Sequence, residues 1–271
     1  MELQREFSLA ALGVLAQCGD LTAEIAFWCN ALGFSLVTEQ DGLAELRNQG
    51  LRLFLRKKKD VPATVAGCFA GIEHIALRST DIDGDLCRCS SGIAKCGDYT
   101  SPSYNPKVWG KGTRYFNLYT PSRAVVEICQ RIDEPPTAEP FSGLSHIGIP
   151  VSDYEKAAEF YQSLGFCLNH EVLNQSAEQG RIRCGIFDAP PLCLELYQFL
   201  DAEKPAFEPN PFYYGLLLHC RELKRLHGIL CKGYEQVSPL RSTADGQQMC
   251  TLTAPDGVCI VFTQADSFQQ I

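Results

Sequence analysis

Through Leu144–Val151 the apolar residues Ile147, Ile149 and Val151 alternate with His146, Gly148 and Pro150. A period of two predicts a strand whose two faces meet different surroundings. The period then lengthens: Ala157, Phe160, Tyr161 and Leu164 fall on one stripe at helical spacing. Ser152 or Asp153 offers an N-cap oxygen for this helix, and Gly165 suits the left-handed turn that closes it. Strands are predicted next over 167–173, 180–187 and 192–199.

This grammar of strand, helix and three strands recurs. The first copy has a strand through 12–20, a helix from Leu21 to Leu32 and strands over 34–39, 43–47 and 51–56. Its helix ends in Leu32-Gly33-Phe34, repeated as Leu164-Gly165-Phe166 at an offset of 132 residues. The second copy begins at 72–78. Its helix, within 81–93, is weakened by Gly84 and a Ser-Ser-Gly break, and its strands fall at 113–119 and 124–130. The intervening 99–111, rich in Pro, Gly and aromatics, reads as a loop able to cover a cavity or to be a mere insertion. The fourth copy has a strand at 213–220, a helix at 222–230 and strands near 235–239, 247–254 and 258–263. Modules of about 8–58, 71–132, 143–200 and 212–266 result, joined by linkers rich in Pro, Gly or charge.

One such module cannot bury both its helix and its sheet face, so modules must pair. The expected fold class is α+β, with four βαβββ modules forming two cupped, partly closed β-barrels and helices outside. In chain order this gives domains 1–138 and 139–271. The alternative pairs the two central modules, 71–200, and leaves the outer two to form the second barrel.

Composition narrows the function. The 271 residues carry a net charge of −8, which argues against nucleic acid, since phosphate binding draws on clustered Lys and Arg. The basic run Arg56-Lys-Lys-Lys59 is short and reads as a solvated linker. No apolar run reaches the roughly 18–20 residues of a membrane span, and Met1–Glu6 lacks the pattern of a signal peptide. A cytoplasmic location is expected. Many of the 14 cysteines sit in predicted strands, where they act as small buried hydrophobes and should stay reduced. Cys87-x-Cys89 followed by Cys96 lacks the second pair that a zinc site needs.

Three motifs together resemble the vicinal oxygen chelate superfamily, which includes glyoxalase I, extradiol dioxygenases, fosfomycin-resistance enzymes, methylmalonyl-CoA epimerase and bleomycin-binding proteins. They are Ser145-His-Ile-Gly-Ile-Pro-Val-Ser-Asp153, the helix end Phe160-Tyr161…Leu164-Gly165-Phe166, and Ala254-Pro-Asp-Gly-Val-Cys-Ile-Val-Phe262. The resemblance extends over nearly the whole chain as four modules. It implies fold more firmly than reaction, because this fold hosts many chemistries.

In that superfamily a histidine on the first strand and a carboxylate on the last strand of a module aim into a shared cavity. Carried over, these positions are His74 and Glu127 in module two, and His146 and Glu195 in module three. In module one they fall on Gly13 or Val14 and on about Phe54; in module four, on Gly215 and Val261. Glu127 follows His74 by 53 residues and Glu195 follows His146 by 49. The resemblance thus implies a site in which His74, Glu127, His146 and Glu195 hold a divalent first-row metal (Zn, Ni, Fe, Mn or Co), with Glu127 or Glu195 doubling as base. All four meet only if the central modules pair; chain-order pairing leaves each barrel one His and one Glu.

Each residue also has a plainer reading. His74 and His146 could be satisfied cavity histidines, and the two glutamates could face solvent from edge strands. An unpaired carboxylate among Val125, Val126 and Ile128, or Leu194 and Leu196, would be costly, however. His170, His219 and His227 have no matching carboxylate and read as surface or packing residues. Arg181 and Arg183 share a strand face, either solvated or clamping an anion. The leading expectation is a metal-dependent, glyoxalase-like lyase, isomerase or epimerase that moves a proton next to a carbonyl of a small oxygenated metabolite. Its rivals are a metal-free, drug-sequestering type of binding protein and an iron-dependent extradiol dioxygenase.

Overall fold

The computed structural model describes residues 7–61, 69–89, 93, 95, 97–135, 141, 143–176, 180–189, 192–201, 208–242 and 246–264. The expectations for Met1–Glu6 and Cys96 lie outside them. Module one runs β1 (Phe7–Cys18), α1 (Leu21–Leu32), β2 (Ser35–Gln40), β3 (Leu43–Asn48) and β4 (Leu51–Lys57). After the short β5 (Phe69–Ala70), module two has β6 (His74–Arg78), α2 (Ile82–Cys89), β7 (Ser103–Asn105), β8 (Thr113–Tyr119) and β9 (Val125–Arg131). Module three has β10 (Leu144–Pro150), α3 (Tyr154–Ser163), β11 (Cys167–Ser176), β12 (Gly180–Ala189) and β13 (Leu192–Phe199). After β14 (Glu208–Pro209), module four has β15 (Tyr213–Cys220), α4 (Leu223–Gly233), β16 (Arg241–Ser242), β17 (Gln248–Thr253) and β18 (Cys259–Gln264).

Local chemistry accounts for the helix limits. Asp20 and Asp153 cap α1 and α3, accepting from the N–H groups of Ala23 and Lys156. Gly33 follows α1 at φ +70°, a left-handed conformation that suits a residue without a Cβ. The weak helix of module two is a short α2 of eight residues. The missing strand of that module is β7, within the segment read as a loop; it pairs with β8 through Tyr104↔Arg114.

Two curled eight-stranded sheets result. One has the order β16-β17-β18-β15-β1-β4-β3-β2 and the other β11-β12-β13-β10-β6-β9-β8-β7. Hydrogen bonding therefore joins module two to three and module one to four, rather than chain neighbours. Both seams are first strand against first strand: β6 beside β10 and β1 beside β15, each antiparallel.

One face of each sheet is apolar and joins a common core. Val14, Leu53, Leu216 and Ile260 come from the outer sheet, and Ile75, Val126, Ile147 and Leu194 from the central one. Trp28, Tyr161 and Leu226 of the helices pack into the same cluster, so the helices cover the backs of the sheets. Buried polar groups pin the two backs together. Glu24 accepts from the N–H of Ser122 and the indole of Trp28, and Tyr161 donates to Asp256. The opposite face of the central sheet is left to form a cavity. Among the described residues no helix is long and apolar enough to cross a membrane, and the twelve described cysteines are free thiols.

Candidate metal centre

The β6–β10 seam sets the site. His74 faces Gly148 and His146 faces Ala76 across it, which puts both imidazoles on the cavity side. On the flanking parallel strands Glu127 lies beside Ala76 and Glu195 beside Gly148, on that same side. Neither glutamate is on an edge strand. The four residues expected from the sequence thus converge. The two Nε2 atoms are 3.3 Å apart, and His146 Nε2 is 3.4 Å from Glu127 Oε1 and 3.2 Å from Glu195 Oε2. His74 Nε2 is 3.8 Å from Glu195 Oε2.

Both histidines are buried, at 7% and 1% exposure. The second nitrogen of each ring is engaged. His74 Nδ1 lies 2.7 Å from Glu73 Oε2, which also accepts from the hydroxyl of Tyr197 at 2.8 Å. A carboxylate there accepts only, so Nδ1 carries a proton and the Nε2 of a neutral ring presents its lone pair to the cavity. His146 Nδ1 faces Ser145 Oγ at 3.4 Å. The thiol of Cys184 donates to Glu195 Oε1, leaving Oε2 toward the histidines.

These donors fit a divalent ion. Bonds of about 2.0–2.2 Å from one ion to nitrogen and oxygen put neighbouring donors about 3.0–3.6 Å apart, close to the spacings between these atoms. A carboxylate behind a ligating histidine is the usual outer support of such a centre, and Glu73 stands in that position. Gly148 is equally specific. A Cβ there would lie 2.0 Å from His74 Cε1, so the ring lies where a side chain would otherwise be.

Without an ion, the surrounding carboxylates favour a proton on His74. Burial disfavours charge on His74, but Glu73 and the charges of Glu127 and Glu195 outweigh it and raise its pKa to about 9. Burial raises Glu127 above the ordinary carboxylate range, against the pull of both histidines. Burial acts likewise on Glu195, but hydrogen bonding to His146 and the charge of both rings prevail and hold it at about 2.

The cluster lies in a cavity of about 290 Å³. The segment 99–111 covers part of it: Val108 and Trp109 line the wall, and Trp109 lies 5.2 Å from the His146 ring. The backbone carbonyl of Lys107 meets His170 Nε2, and its ammonium donates to Leu173 O, tying this segment to β11. Arg181 and Arg183 serve elsewhere, paired with Asp201 and with Glu155 and Glu171. His227 meets Ser238 O, and His219 lies buried in the outer sheet between Arg52 and Thr263. Glu73 and Asn117 escape a reading by alternation, and alternation gives the face of Gly148 but not its contact with His74. Glu73 precedes the first residue of β6, where the period of two does not yet hold.

The outer sheet repeats the seam without the donors. Gly13 and Leu217 pair as His74 and Gly148 do, and Gly215 takes the place of His146. Phe54 stands where Glu127 does, beside the second-next residue of the first strand, and Val261 replaces Glu195. The Phe54 ring leans over Gly13, 2.6 Å from where a Cβ would be.

Comparison with known proteins agrees with this architecture. The sequence profile described as Glyoxalase/Bleomycin resistance protein/Dioxygenase superfamily matches residues 143–262. That match takes in modules three and four, which lie in different sheets. Glyoxalase I from Zea mays superposes with a TM-score of 0.71 at 17% identity, covering 94% of this chain and 92% of its own. A candidate dioxygenase from Bacillus subtilis gives 0.67 at 11% identity, covering 96% and 86%. The cppA protein of Streptococcus pneumoniae gives 0.52 at 13%, covering 96% and 99%. At such identities the likeness establishes the fold alone. No curated protein matches the chain by sequence.

Proposed function

For a chain with the fold of the vicinal oxygen chelate superfamily, matched by its glyoxalase profile over residues 143–262, we propose a metal-dependent, glyoxalase-like enzyme. It moves a proton next to a carbonyl of a small oxygenated metabolite, as an isomerase, epimerase or lyase. The observation that carries this reading is the meeting of His74, Glu127, His146 and Glu195 within 3.2–3.8 Å along their closest edges. A divalent first-row ion in this donor set would polarise the carbonyl and stabilise the enediolate that proton removal creates.

The protein's own groups divide the remaining work. Glu127, raised by burial, is the better proton acceptor of the two carboxylates, while Glu195 keeps its charge. Glu73 holds the His74 ring in one tautomer. Trp109 and Val108 narrow the access of water to the reacting carbon. His74, Glu127 and His146 offer ligand atoms within 4.8 Å of one another, and Glu195 stands beside the two histidines as a further carboxylate.

The test is metal analysis of the purified protein joined to proton exchange. About one first-row ion per chain, lost in His146→Ala and Glu195→Ala, is expected. With it should come deuterium uptake from D2O at the carbon next to the carbonyl of hydroxyacetone or a related hydroxyketone, followed by NMR. Protein that binds no ion under replete conditions overturns the reading and favours a metal-free binding protein.

A further inference from the structure

Two polar atoms of residues that line the cavity have no partner among the described residues. They are the indole Nε1 of Trp109 and the side-chain Oδ1 of Asn117, both buried, and neither meets a hydrogen-bonding group of a described residue. Trp109 is only 9% exposed, and both residues line the cavity that holds the histidines. Leaving such an atom unsatisfied is costly, so a donor and an acceptor among the residues lining one cavity point to a ligand that satisfies both.

Their placement is built in. Asn117 on β8 stands directly across from Glu127 on β9, whereas the residue across from Glu195 is Ile186. Glu127 therefore has a polar cross-strand neighbour and Glu195 an apolar one, and Ile182 and Phe199 add apolar surface to the lining. Trp109 is held at φ +52° between the cavity and Arg131, whose guanidinium stacks on the ring 4.2 Å from its centre.

The charge of the lining defines the ligand further. Glu73, Glu127 and Glu195 bring three carboxylates, and no lysine or arginine lines the cavity among the described residues. The nearby cations are engaged, Arg131 by Glu134 and Lys107 by Leu173 O. A divalent ion leaves such a wall short of neutrality, so an anionic substituent meets repulsion without a counter-charge. The volume, about 290 Å³, is on the order of ten water molecules.

We propose that Asn117 and Trp109 are specificity-determining residues for a small uncharged hydroxycarbonyl compound, Asn117 Oδ1 accepting from its O–H or N–H and Trp109 Nε1 donating to its oxygen. The compound's apolar part lies toward Ile182 and Phe199. This deepens the metal-dependent reading and rests on it.

The experiment uses full-length protein loaded with cobalt(II), counted by elemental analysis, and reads the visible absorption of the ion during titration. The probes are acetohydroxamic acid, an uncharged chelator with an N–H, and its carboxylate-bearing analogue, succinic acid monohydroxamate. The uncharged probe should bind at least tenfold more tightly than the anionic one. Asn117→Leu and Trp109→Phe should each weaken it about tenfold at unchanged cobalt content, which also reports that the variants fold. Full loading with equal affinity for both probes, or with affinities untouched by the two variants, overturns this proposal and leaves the metal reading standing. Failure to load cobalt at all overturns both.

Discussion

The imidazole of His74 lies across the α-carbon of Gly148 on the neighbouring strand, with Cε1 only 2.0 Å from where a Cβ would be built. The contact spans the β6–β10 seam, where the two residues are direct partners. Gly148→Ala must push the ring out of the donor cluster. Metal affinity is expected to fall at least tenfold, the scale seen when support of a ligand is lost. Competition with a chromophoric chelator measures it.

Gly13→Ala in the outer sheet is the matched control. Its Cβ would meet the Phe54 ring at 2.6 Å, and forcing that contact costs about 1–3 kcal/mol. Urea denaturation should show the loss, while metal content per chain stays unchanged.

Glu73 and Tyr197 support His74 from behind. Glu73→Gln removes the charge that fixes the tautomer and should lower metal affinity or activity about 10–100-fold. Tyr197→Phe should have a smaller effect in the same direction. An effect of Glu73→Gln confined to folding stability would contradict the supporting role.

In the metal-free protein His74 has its pKa raised to about 9, so it is protonated at neutral pH. Binding an ion at its Nε2 displaces that proton. Affinity should therefore rise about tenfold per pH unit up to about pH 9 and level off above it. Without metal the sign is opposite: the stability that protonated His74 contributes is full below its unfolded value near 6.5 and is lost as pH rises through 9. Isothermal titration and chemical denaturation across pH 6–10 check the two slopes.

Asp256 is buried beneath Tyr161, and burial lifts its pKa to about 6 against hydrogen bonds from Val258 and Tyr161. A raised carboxyl value means that ionisation opposes folding at neutral pH, and that stability is regained as pH falls from 6 toward 3.8. Asp256→Asn keeps an acceptor for Val258 N–H and removes the charge. It should stabilise the protein at pH 7.5 by about 1–3 kcal/mol, with a clearly smaller effect at pH 4.5, as thermal melts at the two pH values would show.

Local elements were legible along the chain because they depend on near neighbours. The span Leu21–Leu32 of α1, the Asp153 cap and the strands 113–119, 192–199 and 213–220 follow from periodicity, caps and turn residues. Alternation also put His146 on one face of its strand, and the resemblance pointed to His74, Glu127 and Glu195. The partner of each strand lay beyond reach of such reasoning, since the seams of β6 with β10 and β1 with β15 join residues far apart in sequence. Sheet pairing is a non-local choice among similar edges, and linkers of similar length do not select it. Only the folded chain brings Gly148 under His74, turns Glu73 back toward its ring and leaves Asn117 and Trp109 facing a shared hollow. Each depends on contacts between strands or loops, which no periodicity along a single segment encodes.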